Sequence, residues 1–189
     1  MNPAPPATLP ALLAREMRLG ERLLWTGQPD PRRAMVKPFA FYLFAVPWTA
    51  FSLAWETIAV HLAFTDAPAL AGVVMTLFGL PFVVIGLAMM AAPFWAYRTA
   101  TRTIYGVTDR RVVELVSARA LKVRSVDAAS IGPVTRLQRQ GDHGTLTIET
   151  GSSRDSEGDR VTDKFVMESV PDVVRAETLV SRLREVTPA

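Results

Sequence analysis

Cysteine is absent from the 189 residues, and histidine occurs only at His61 and His143. Without thiols there is no disulfide, no zinc ribbon and no cysteine nucleophile, so any soluble domain must rest on its own apolar core. No His-Glu-x-x-His pattern, Gly-rich phosphate loop or Gly-x-Ser-x-Gly elbow is found either. These gaps point away from an enzyme, and they imply neither a cofactor nor a metal. His61 lies five residues from both Glu56 and Asp66. That separation puts helical side chains on different faces, so a solvated loop is expected there rather than a site.

Charge is missing over two stretches, Phe39 to Trp55 with 17 residues and Ala67 to Tyr97 with 31. Roughly 20 apolar residues at about 1.5 Å rise cross a hydrocarbon core of about 30 Å. The second stretch suffices alone, and the first does so if Glu56 sits at the far interface. A globular helix averages about 11 to 12 residues, so a buried core helix is a poor explanation for 31 uncharged ones. The expected division is an arm over 1–37, one span over 38–61, an outer turn over 62–68, a second span over 69–97 and a cytoplasmic domain over 98–189.

Arg32, Arg33 and Lys37 precede the first span and Arg98 and Arg102 follow the second, whereas Glu56 to Pro68 holds no Lys or Arg. The positive-inside rule then puts both termini in the cytoplasm and the short turn outside. The net charge of +3 is consistent with juxtamembrane arginines facing anionic lipid. No basic helix or finger spacing suggests nucleic acid as a partner.

Small residues recur every seven positions, at Ala45, Ser52 and Ala59 in the first span and at Gly72, Gly79 and Gly86 in the second. That period puts them on one face of each helix, which predicts close approach along a hairpin seam or an oligomer seam. Pro47, Pro81 and Pro93 are expected to kink or end the helices, with Pro93 marking the exit.

The C-terminal third alternates like strands. Thr101 to Thr108 and Arg111 to Ser117 meet at Asp109-Arg110, Leu121 and Val123 alternate with Lys122 and Arg124, and Val134 to Gln140 and Thr145 to Thr150 flank a glycine turn. A polar loop from Gly151 to Arg160 and a strand near 161–170 follow. From Pro171 to Val186 the period becomes helical, with Val173, Ala176, Val180 and Leu183 on one face. The reading is a membrane α-helical hairpin plus a mainly-β domain.

The segments Gly20-Glu21-Arg22-Leu23-Leu24-Trp25-Thr26-Gly27-Gln28-Pro29 and Tyr105-Gly106-Val107-Thr108-Asp109-Arg110-Arg111, with two spans between them, resemble a bacterial membrane-anchored family carrying a pleckstrin-homology-like domain. The matching residues are Gly20, Glu21, Trp25, Gly27, Pro29, Tyr105, Thr108, Asp109 and Arg111. The resemblance implies a bent antiparallel barrel of about seven strands capped by the C-terminal helix, with no established catalytic activity and no agreed ligand. From the residues alone, Asp109 suits a turn that accepts amides of its own loop, and Trp25 suits either the interface or the barrel. The arm, with Leu9, Leu12, Leu13 and Met17 on one face, suits a helix lying on the bilayer or on a partner protein.

Arg98 to Arg139 carries nine basic and three acidic residues, and Gln140 to Ala189 carries six basic and ten acidic. Lipid contact is therefore expected from Arg98, Arg102, Arg110 and Arg111. The function expected is a non-enzymatic interaction module held at the membrane, with lipids, other copies or other envelope proteins as partners. A small transporter or channel component is the alternative, for which Glu56 and the glycine seam speak.

Overall fold

The computed structural model describes residues 8–65, 69–138, 141–154 and 160–186. Two compact units result, one of Met1–Arg33 with Arg98–Ala189 and the other of Ala34–Tyr97. The arm, expected as a separate segment, thus belongs to the same unit as the C-terminal third.

That unit begins with helix α1 (Leu9–Arg15) and strand β1 (Leu23–Gly27), followed by the single turn α2 (Pro31–Ala34). After the long helices come β2 (Thr103–Thr108), β3 (Arg111–Ser117) and β4 (Leu121–Asp127), then a 3₁₀ turn, β5 (Val134–Gln138), β6 (Gly144–Arg154), β7 (Arg160–Val170) and α5 (Val173–Val186). The strands form two antiparallel sheets, ordered β1-β2-β3-β4 and β5-β6-β7. A closed barrel was expected; the described residues instead form two separate sheets. Contact between β4 and β7 is made by side-chain groups, with Arg124 donating to the Lys164 carbonyl at 3.2 Å and stacking on Phe165 at 5.3 Å.

Alternation along the strands decides what each face covers. Trp25, Tyr105, Val107, Val112 and Val126 of the first sheet face Leu146, Ile148, Phe165 and Met167 of the second, and Val173, Ala176, Val180 and Leu183 of α5 complete this core. The opposite face of the first sheet presents Ile104, Val113 and Leu115 to Leu13 of α1. With cover on both sides, β2 is buried at all six positions. Gly106 makes the docking possible, because a Cβ there would come within 2.9 Å of Leu13 Cδ2. Helix α1 therefore rests on the chain's own sheet, which is neither of the two placements expected for it.

Two further expectations need correction. A polar loop is expected over 151–160, but β6 and β7 stay paired out to Arg154 and Arg160, and positions 155–159 lie outside the described residues. Gly151 to Arg154 and Arg160 are exposed, so only the backbone ladder marks them as strand. The first strand of the hairpin begins at Thr103 rather than Thr101, because the preceding helix runs to Ala100.

The second unit consists of α3 (Val36–Thr65) and α4 (Ala69–Ala100). Pro38–Thr65 and Leu70–Ala100 are long and apolar enough to cross a membrane, with mean hydropathies of 1.3 and 2.4. Their outward faces are apolar, Phe51 being 69% and Trp95 70% exposed, an arrangement suited to hydrocarbon and prone to aggregation in water. Both helices continue through Pro47, Pro81 and Pro93, so Pro93 ends nothing. The outer turn expected over 62–68 shrinks, since α3 includes 62–65; positions 66–68, Asp66 among them, lie outside the described residues.

Ala45, Ser52, Ala59, Gly72, Gly79 and Gly86 are all buried between these two helices. A Cβ at Gly72 would overlap the Ala63 backbone, one at Gly79 would overlap Glu56 Oε2, and one at Gly86 would overlap Thr49 Oγ1. The partners step by seven residues in opposite directions, which fixes one antiparallel register. Small residues let the backbones approach where lipid offers no hydrophobic drive. The three glycines differ in tolerance: at Gly72 the obstacle is backbone, whereas at Gly79 it is the tip of a side chain. Gly72→Leu is expected to cost about 1–3 kcal/mol and to part the helices, seen as a longer distance between spin labels on α3 and α4; Gly79→Ala should leave that distance nearly unchanged.

Candidate functional site

The residues carrying the family resemblance converge mostly on one joint, where the arm meets β2 and β3. Glu21 has a fully buried side chain and Arg111 one that is 8% exposed. The guanidinium grips the carboxylate with two bonds, Nε to Oε1 at 2.8 Å and Nη2 to Oε2 at 3.0 Å. Nη2 also donates to the Glu16 carbonyl at 2.7 Å. The remaining capacity of Glu21 is taken by the Arg18 amide at 2.7 Å and the Thr108 hydroxyl at 2.8 Å. A buried ion pair survives only when its lone pairs and protons are satisfied in this way.

Arg111, expected to face lipid, is thus committed inside the domain. Arg98, Arg102 and Arg110 are exposed. Asp109 was expected to cap its own turn, but its carboxylate accepts the Arg22 amide at 2.9 Å across the joint. Thr108 Oγ1 serves the turn instead, accepting from Arg110 and Arg111 amides at 3.1 and 3.0 Å. Gly20 lies at φ +75°, which makes the bend leading to Glu21. Trp25 is in the core, and a Cβ at Gly27 would overlap its indole. Pro29 is buried. Tyr105 is buried within 3.4 Å of the Val166 carbonyl, and burial, with Glu114 nearby, pushes its hydroxyl well above the usual range.

Burial alone would raise the Glu21 carboxyl, but Arg111, the Arg18 amide and the Thr108 hydroxyl outweigh it and hold the group at about 2, against 4.5 when free. A carboxylate lowered on folding contributes stability above its unfolded value and loses that contribution as the pH falls through the folded one. Acid unfolding between about pH 4.5 and 2 should therefore draw on this group. Glu21→Gln is expected to flatten stability across that window, as read by denaturant titration at successive pH values.

Beside the joint, a cleft of about 350 Å³ is lined by Leu23, Leu24, Trp25 and Thr26 of β1 together with Pro171, Asp172 and Arg175 at the start of α5. Since β1 is an edge strand, its outer backbone groups are available to an added strand.

The second unit holds a different feature. Among the described residues, the buried side-chain oxygens without a hydrogen-bond partner are Thr49 Oγ1, Thr76 Oγ1 and both carboxylate oxygens of Glu56. Helix α3 continues nine residues beyond Glu56, to Thr65, and the seam register sets its carboxylate against Gly79. His61 lies within α3 rather than in a loop. Among the described residues no three His, Cys, Asp or Glu side chains cluster to hold a metal. Compared with known proteins, the chain matches no family model, no curated protein and no solved structure.

Proposed function

We propose that this chain is a non-enzymatic membrane protein whose hairpin crosses the bilayer twice and holds a pleckstrin-homology-like interaction module at the cytoplasmic face of a bacterial inner membrane, where it assembles with envelope proteins. The observation carrying this reading is the pairing of β1 with β2, in which Thr26 lies opposite Gly106 and Gly27 opposite Tyr105. Strands before and after the two long helices share one sheet, so the chain must leave and return on the same side. An insertion that crosses an even number of times satisfies that requirement.

Four strands plus three, closed by a C-terminal helix, are in keeping with the pleckstrin-homology-like reading. Arg98, Arg102 and Arg110 supply the anionic-lipid contact, at about 1 kcal/mol for each residue near the headgroups. The edge of β1 beside α5 is the surface we assign to a protein partner, which would add an extended segment there. A photoreactive benzophenone side chain placed at Leu24 in intact membranes should give one discrete protein adduct, and one at the exposed Val186 should not. Identical or absent adducts from both positions would contradict the assignment. A transporter or channel component remains the second reading, favoured by the unpaired Glu56.

A further inference from the structure

We propose that the cleft between α3 and α4 binds a lipophilic organic cation, with Glu56 as its counter-ion. The inference uses the membrane placement of the hairpin but not the role assigned to the β-module.

The cleft has a volume of about 200 Å³, and its walls are aromatic: Trp48, Phe51 and Trp55 from α3, and Phe78 and Phe82 from α4. The rings hold one another in place, with centroids 5.9 Å apart for Trp48 and Phe82 and 5.2 Å for Phe78 and Phe82. The Trp48 indole N–H is anchored on the Phe82 carbonyl at 3.1 Å. Gly79 also lines the cleft, and Glu56 Oε2 occupies the place its Cβ would take. The carboxylate therefore adjoins the cleft wall at the one position without a side chain.

Two hydroxyls of α3 that flank Glu56 have local partners. Ser52 Oγ donates to the Trp48 carbonyl and Thr57 Oγ1 to the Leu53 carbonyl, each at 2.8 Å. Glu56 has none, and an unpaired carboxyl in hydrocarbon carries a large cost that packing does not return. An alanine or glycine there would serve the seam better, so the carboxylate points to something bound.

The chemistry of the surroundings selects the ligand. Calcium and magnesium take about six or more oxygen ligands and zinc about four, chiefly Cys and His, whereas the seam offers one carboxylate and the unpaired hydroxyls of Thr49 and Thr76. A cation with an apolar body, such as a quaternary ammonium or phosphonium, needs few ligands. It finds charge neutralisation at Glu56, ring faces for cation–π attraction and an apolar cleft for its substituents.

The test uses the full chain in nanodiscs of zwitterionic lipid, titrated with tetraphenylphosphonium and read by tryptophan fluorescence against empty nanodiscs. Saturable quenching is expected, weakened at least about tenfold in Glu56→Gln and retained in Glu56→Asp. The neutral triphenylphosphine oxide should bind no better to wild type than to Glu56→Gln. Should Glu56→Gln fail to fold, Trp55→Leu keeps the carboxylate, removes one ring and is expected to weaken binding in the same direction. Equal affinity in wild type and Glu56→Gln, undiminished binding to Trp55→Leu, or no saturable quenching would overturn the proposal. None of these outcomes alters the sidedness of the termini, which tests the membrane placement separately.

Discussion

Replacing Arg111 with alanine is expected to destabilise the β-module by about 3–5 kcal/mol, the usual cost of leaving one half of a buried ion pair without the other. Glu21 would keep its amide and hydroxyl donors from Arg18 and Thr108, but its charge would lie unneutralised in a site with no solvent access. The Glu16 carbonyl would lose its donor as well. For a domain of this size the loss corresponds to a fall in melting temperature on the order of 10 °C or more. It can be followed by near-ultraviolet circular dichroism of the full chain in mild detergent, since Trp25 reports on the core. Glu21→Met combined with Arg111→Met should recover most of the deficit, because two apolar side chains leave no buried charge. If Arg111→Ala melts like wild type, the pair does not hold the arm.

Leu13→Ala is the second large effect, at about 2–5 kcal/mol. Leu13 is fully buried in one cluster with Ile104, Val113 and Leu115, against which Leu9, Leu12 and Met17 also pack. Truncation opens a cavity directly over Gly106, whose missing Cβ had made room for the leucine. Gly106→Ala alone should destabilise by crowding Leu13, whereas added to Leu13→Ala it should cost less than it does alone. Chemical denaturation of the detergent-solubilised protein measures all three. A helix lying on the bilayer would lose membrane affinity on the same truncation and leave domain stability unchanged, so the experiment separates the two placements.

Much of the architecture follows from local patterning. The long helices are legible because an uncharged run of 31 residues has few other uses, and α5 because Val173, Ala176, Val180 and Leu183 repeat at helical spacing. The β2–β3 hairpin is marked by its β-branched residues on either side of Asp109-Arg110. By contrast, β1 is a strand only because it lies on β2, whose partner residues are some eighty positions away and separated from it by the entire hairpin. No local period records such a pairing. Glu21 and Arg111, 90 residues apart, are singled out in the sequence only by the resemblance, and not as partners.

The place of Glu56 in the seam is illegible in the sequence for a related reason. What sets its carboxylate against Gly79 is the register of Gly72, Gly79 and Gly86 against Ala63, Glu56 and Thr49, and one helix alone does not define that register. A signal was nevertheless present: Glu56 lies seven residues after Thr49 and seven before Ala63, in step with the glycines of α4.

Because the chain has no cysteine of its own, single thiols can be introduced at Leu19, Thr65 and Ser152, all exposed, and labelled with an impermeant maleimide before and after the membrane is opened. A hairpin inserted between β1 and β2 predicts that Thr65 reacts from one side of the membrane while Leu19 and Ser152 react together from the other. Labelling of Leu19 and Ser152 from opposite sides, or of all three from the same side, would contradict it.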